Sequence, residues 1–133
     1  MRLKFNEVTL QMENSLFSYR KLRVYQFARE YNKLVYQLMQ KFPREENFAL
    51  CDQLRRSASS VPSNIAESTG RKSNKEKLHF IEFAFGSLTE SMCQLEIAYD
   101  LSYITLEELQ KMESYVSEIS KMLSGLHTSY RQN

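Results

Sequence analysis

The apolar residues of this chain recur at alternating intervals of three and four along four separate stretches, which places each set on one side of an α-helix. The first stretch holds Val24, Ala28, Tyr31, Val35, Leu38 and Phe42, with Phe27 and Leu34 widening the stripe. Pro43 closes it, because a proline pushes the preceding residue out of the helical region. The second stripe is Cys51, Leu54, Ala58, Val61 and Ile65, in a helix expected to open near Arg44 to Asn47 with Glu45 and Glu46 at its positive end. Pro62 falls inside that helix. It removes a backbone donor and crowds the carbonyl of Ala58, so a kink is expected there. Two short helices are the alternative, disfavoured because Ile65 keeps the register of Leu54, Ala58 and Val61. Gly70 follows as a C-cap.

The third helix opens on a capping box, Ser73 to Glu76, and carries Leu78, Ile81, Phe85, Leu88, Met92, Leu95 and Tyr99. The fourth repeats the signal in Thr105 to Glu108 and carries Leu109, Met112, Val116, Ile119, Leu123, Leu126 and Tyr130. Connections at about 42–44, 70–72 and 102–104 are short enough to make successive helices antiparallel neighbours. The expected fold is therefore all-α, an antiparallel up-down-up-down four-helix bundle over residues 18–133, kinked at Pro62. Residues 1–17 show no stripe and are expected to form an irregular leader. A chain of 133 residues with only 3 glycines and 2 prolines suits one helical core of this kind.

Cys51 and Cys93 each lie within a helical pattern and are too few for a disulfide scaffold, so they read as reduced thiols. After Arg2 and Lys4, the polar residues Glu7, Gln11, Glu13 and Asn14 interrupt any secretory apolar run. No segment reaches the roughly 18 apolar residues of a membrane span. A soluble, cytoplasmic protein is expected, without a membrane partner.

Charge is uneven along the chain. Residues 1–77 hold 15 Lys and Arg against 8 Asp and Glu, whereas residues 78–133 hold 3 against 8. Such asymmetry points to charged partners or to self-association between opposite faces, and solvated helix surfaces of differing composition would produce it too. On an ideal second helix, Arg56, Ser60, Ser63, Asn64, Glu67 and Arg71 cluster within roughly 100°, with Gln53 beside them, opposite the core stripe. Short hydroxyls and an amide are poor helix formers, and beside two arginines they suit close approach of a phosphate backbone or another subunit. The plainer alternative is that Ser57, Ser59, Ser60 and Ser63 relieve crowding around Pro62. On the third helix Ala84, Ser87, Ser91 and Ala98 form a line of small residues, best explained by close packing inside the bundle.

Catalytic chemistry is largely excluded. Glu76-Lys77-Leu78-His79 supplies one Glu-x-x-His motif of a di-metal bundle, but Ser124 stands where His127 would need its glutamate. Two histidines and two distant cysteines do not make a zinc site, and no phosphate loop or nucleophile elbow occurs. No enzyme activity, metal or cofactor is expected.

The segments Gln53-Leu54-Arg55-Arg56, Ser60-Val61-Pro62-Ser63-Asn64-Ile65-Ala66-Glu67, Arg71, and Gly86-Ser87-Leu88 with Glu90 resemble a bacterial four-helix bundle family. That family is named for proteins encoded in intervening sequences of large-subunit ribosomal RNA genes, and the resemblance covers about Tyr19 to Leu126. It implies an up-down bundle assembling into a homopentamer, with kinship to the accessory variability proteins of diversity-generating retroelements, which bind nucleic acid. The chain departs from the family's pattern at Ser68, where glycine is usual, and at Phe85 and Met92, which remove charge from the third helix. Two functions follow as expectations. One is RNA or DNA binding, with Arg55, Arg56, Arg71, Lys72, Lys75 and Lys77 on phosphates. The other is a ring-forming scaffold for a protein partner, its basic face from helices one and two meeting an acidic face from helices three and four.

Overall fold

The computed structural model describes residues 17–132. The leader expected over residues 1–17 lies, apart from Phe17, outside them. Among the described residues there are four α-helices and no strand: α1 (Arg23–Met39), α2 (Leu50–Thr69), α3 (Asn74–Asp100) and α4 (Leu106–Gln132). Each packs on its sequence neighbours, and α1 packs on α4, giving a four-helix bundle with no diagonal helix pair among the described elements. The ends of the helices meet in a fixed pattern. At one end, Tyr103 after α3 donates to the Glu46 carboxylate before α2 at 2.6 Å, and Lys41 after α1 pairs with Glu108 at the start of α4. At the other end, Lys77 at the start of α3 lies 5.4 Å from the ring of Tyr130 near the end of α4.

Val24, Ala28, Tyr31 and Val35 are buried as spaced, but α1 stops at Met39 rather than continuing to Phe42. Its last turns tighten into bonds from Lys41 N–H to the Leu38 carbonyl and from Phe42 N–H to that of Met39. The tightening breaks the helical spacing. Met39 takes the axial position expected of Leu38, which is only half-buried, and Phe42 reaches the core from the turn.

The second helix also opens later than expected. Glu45 and Glu46 belong to a separate 3₁₀ turn, Arg44–Glu46, after extended Pro43, and Glu46 is drawn sideways to Tyr103. Asp52, not these two, is the acid in the first turn of α2. The stripe Cys51, Leu54, Ala58, Val61 and Ile65 is buried throughout. The helix runs unbroken through Pro62, so the division into two short helices does not occur. Gly70 does cap α2, but with φ −89°, so the turn makes no use of glycine's left-handed freedom.

On α3 the buried axis is Ile81, Ala84, Leu88, Ser91, Leu95 and Ala98. Leu78, Phe85 and Met92 flank it half-buried, and Tyr99 is exposed. The small residues therefore occupy the axis, letting neighbouring helices come close. A buried polar pair crosses the core here: the Tyr31 hydroxyl and Ser91 Oγ are 2.6 Å apart. A second lies between α2 and α3, where Ser57 Oγ donates to Gln94 Oε1 at 2.6 Å.

Both capping signals mark real helix starts. Glu76 N–H donates to Ser73 Oγ at 3.1 Å. At α4 the exchange is reciprocal, with Glu108 N–H on Thr105 Oγ1 at 3.1 Å and Thr105 N–H on Glu108 Oε1 at 2.9 Å. Between α3 and α4, Ser102 N–H reaches the Tyr99 carbonyl and Tyr103 N–H that of Ala98, both at 2.9 Å, a Schellman turn with Ser102 at φ 65°. No described helix is long and apolar enough to cross a membrane.

Candidate nucleic-acid interface

The polar strip of α2 does not lie wholly turned away from the bundle. Gln53, Arg56, Ser63 and Glu67 are exposed, but Ser60 and Asn64 are half-buried along the seam with α3. Ser87 of α3 donates to Ser60 Oγ at 2.8 Å, and Asn64 Nδ2 donates to both the carbonyl and the hydroxyl of Ser60 at 2.8 Å. Ser63 Oγ bonds back to the Ser59 carbonyl at 2.9 Å. Ser60 thus ties α2 to α3, while Ser63 and Asn64 bond back along α2 on either side of Pro62.

What remains for a ligand lies near the two ends of α2, around Arg56 in its first turns and just past Thr69. At the N-terminal end, Arg55 is committed, donating to the Asn47 carbonyl at 2.7 Å. Arg56 is 80% exposed and pairs loosely with Asp52 at 3.3 Å. Gln53 stands beside it in solvent.

The C-terminal end is richer. The turn from Gly70 to Ser73 carries Arg71 and Lys72, and Lys75 stands in the first turn of α3. Arg71 pairs with Glu67 at 3.1 Å, and its guanidinium carbon lies 4.5 Å from the centre of the Phe80 ring. Its Nε–H is covered and makes no hydrogen bond. The carboxylate on its edge and the ring beneath it therefore hold the guanidinium in place. Lys72 and Lys75 are exposed and make no ion pair with any described residue. Lys77 turns inward to the carbonyls of Ser68 and Thr69 at 3.4 and 3.3 Å, supplying donors that the last turn of α2 needs. It is a cap rather than a free phosphate contact.

Beyond this rim stand three rings absent from the sequence-based set. His79 and Phe83 have ring centres 4.3 Å apart, and Phe80 lies 6.0 Å from each. Phe83 is 49% exposed. Their signal was available in the sequence, since Phe80 and Phe83 are apolar yet fall off the α3 stripe. Arg71, Lys75, His79 and Phe80 help line an open hollow of about 730 Å³. Glu76 and Glu82 also border it. Glu82 leans toward His127 of α4, 3.7 Å away. Chemically, the rim combines free ammonium groups, a stacked guanidinium and exposed ring faces.

Among the described residues no three His, Cys, Asp or Glu side chains are placed to hold a metal ion. Both cysteines are free thiols, Cys51 buried and Cys93 exposed.

Residues 20–125 match the family model described as 23S rRNA-intervening sequence protein. A crystal structure of a protein of unknown function from the S23 ribosomal protein family of Bacteroides thetaiotaomicron has a similar fold, with a TM-score of 0.72 and 24% identity. The likeness covers 78% of this chain and 97% of that one. No curated protein matches the sequence.

Proposed function

The chain belongs to the 23S rRNA-intervening sequence protein family, and from that premise we propose that it is a non-enzymatic bundle that binds RNA through the basic rim at the α2–α3 turn. The observation that carries this reading is the convergence of Lys72 and Lys75, free of partners among the described residues, with Arg71 seated on Phe80. Lysines free of carboxylates are the groups that release counterions when phosphates approach. Arg56 adds a more distant contact along α2. The family name, which refers to ribosomal RNA, favours RNA over DNA as the nucleic acid.

A salt-titrated binding assay tests it. Wild-type protein is expected to bind a short RNA at low salt, with affinity falling steeply as salt rises. Lys72→Glu/Lys75→Glu is expected to weaken binding at least tenfold and to flatten the salt dependence by about two contacts. Absence of any complex at low salt refutes the reading.

A second reading, compatible with the first, is assembly into a homo-oligomeric ring in the cytoplasm. It rests on the opposite end of the bundle, where Phe48 is 96% exposed in the α1–α2 connection and Leu101 and Leu106 are exposed around the α3–α4 connection. Apolar side chains gathered at one end suit a subunit contact. A monomer in light scattering at micromolar concentration refutes it.

A further inference from the structure

Basic side chains alone do not account for the His79, Phe80 and Phe83 group beside the rim. A lysine surface needs no rings, and none of the three occupies the buried axis of α3. The interplanar angles within the group run from 63° to 81°, so no two rings are stacked face to face. Their stacking capacity is not consumed internally. Phe83 holds nearly half its surface in solvent, on a helix whose core positions are already filled by Ile81, Ala84 and Leu88.

We infer that Phe83, with His79 and Phe80 behind it, is a stacking platform for an unpaired nucleobase, so that the rim selects single-stranded over duplex RNA. This rests on the RNA-binding reading above and adds to it the form of RNA taken. The occupant follows from what surrounds the rings. Lys72 and Lys75 are positioned for phosphates, and the cation over Phe80 fixes one ring face, leaving Phe83 as the open one. The open hollow of about 730 Å³, lined by Arg71, Lys75, His79 and Phe80 and bordered by Glu76 and Glu82, accommodates a nucleotide-sized group next to Phe83, which stands outside its lining. A base inside a duplex already has both faces covered by its neighbours and cannot use such a platform, whereas an unpaired base can. A purely ionic surface would instead favour the duplex, whose charge density is higher.

The experiment measures fluorescence anisotropy of a labelled 12-nucleotide single-stranded RNA and a 12-base-pair RNA duplex, each against wild type, Phe83→Ala, Phe83→Tyr and Lys72→Glu/Lys75→Glu. Wild type is expected to prefer the single strand. Phe83→Ala should lose about tenfold in affinity for it, within the range of one base–aromatic stack, with an unchanged salt slope and unchanged duplex binding. Phe83→Tyr, which keeps the ring, should bind as wild type, and circular dichroism confirms that each variant folds. Single-strand affinity unaffected by Phe83→Ala, or a wild-type preference for duplex, overturns the platform while RNA binding stands. Binding of neither RNA by wild type overturns the underlying reading itself.

Discussion

Replacing Tyr31 with Phe and Ser91 with Ala, singly and together, tests the direction of the hydrogen bond across the core. Ser91 Oγ lies 2.7 Å from the Leu88 carbonyl, which can only accept, so the serine proton is used there. The Tyr31 hydroxyl, 2.6 Å away, must then be the donor to Ser91. Both residues are fully buried. Tyr31→Phe removes the donor and leaves Ser91 still bonded to Leu88, a loss of about 1 kcal/mol. Ser91→Ala strands a buried O–H without an acceptor, costing about 1–3 kcal/mol, with about half a kcal/mol returned by alanine's helix propensity. The double variant strands nothing and should cost less than the sum of the two by about 1 kcal/mol.

Urea unfolding followed by circular dichroism at neutral pH measures all three. An alkaline arm reads the burial of the Tyr31 phenol separately from the direction of the bond, because burial pushes that phenol up to about 12 against an opposing effect of the Ser91 hydrogen bond. Its folded value lies above the unfolded one, so its contribution is complete below pH 10 and is lost as pH rises from there toward 12. A rise from 10.0 to about 12 corresponds to about 2–3 kcal/mol. Tyr103 is also raised to about 12, chiefly by its hydrogen bond to Glu46, so the alkaline comparison is made in a Tyr103→Phe background. Tyr31→Phe costing more than Ser91→Ala, or strictly additive losses, would refute the assigned donor.

Ser102→Gly is expected to stabilise the protein by about 0.5–1 kcal/mol, since an L-residue at φ 65° pays about 1–2 kcal/mol that glycine avoids, less its extra chain entropy. A thermal melt raised by a few degrees confirms it, and a lowered one refutes it. Hydrogen bonds from Lys41 and then from the Thr105 backbone hold the Glu108 carboxyl below its ordinary value of 4.5. Its contribution is therefore present above that value and is lost as pH falls through the lower folded one, so Glu108→Gln should flatten the acid limb of the stability profile. A profile as steep as that of wild type contradicts the assignment.

On α2 and α4 large apolar residues such as Leu54, Ile65, Ile119 and Leu123 do much of the burying, so most of those stripes were legible, although Val116, Leu126 and Tyr130 are only half-buried. On α3 the same habit of reading by size misleads. Phe85 and Met92 look like core, yet Ala84 and Ser91 hold the axis because that helix packs closely. The site was legible only in part. Arg71, Lys72 and Lys75 share one turn, and their closeness needs no tertiary knowledge. Arg55 and Lys77 were beyond the sequence, because each answers a backbone carbonyl, Asn47 for one and Ser68 with Thr69 for the other, whose need shows only once the chain has folded back. Ser60 and Asn64 also depended on the fold, because their hydrogen bonds run to each other and, through Ser87, to α3.

The α2–α3 seam is the most extensive helix contact in the bundle, and Ser57–Gln94 and Ser60–Ser87 fasten it with side-chain bonds. Local opening draws on whichever elements are least anchored, so α1 and α4 can loosen at lower free energy than this hairpin. The rim is built entirely on that hairpin. The amides inside the two helices of that hairpin would be among the last to exchange with deuterated solvent, and a ligand at the rim would meet the same surface whether or not the outer helices were breathing.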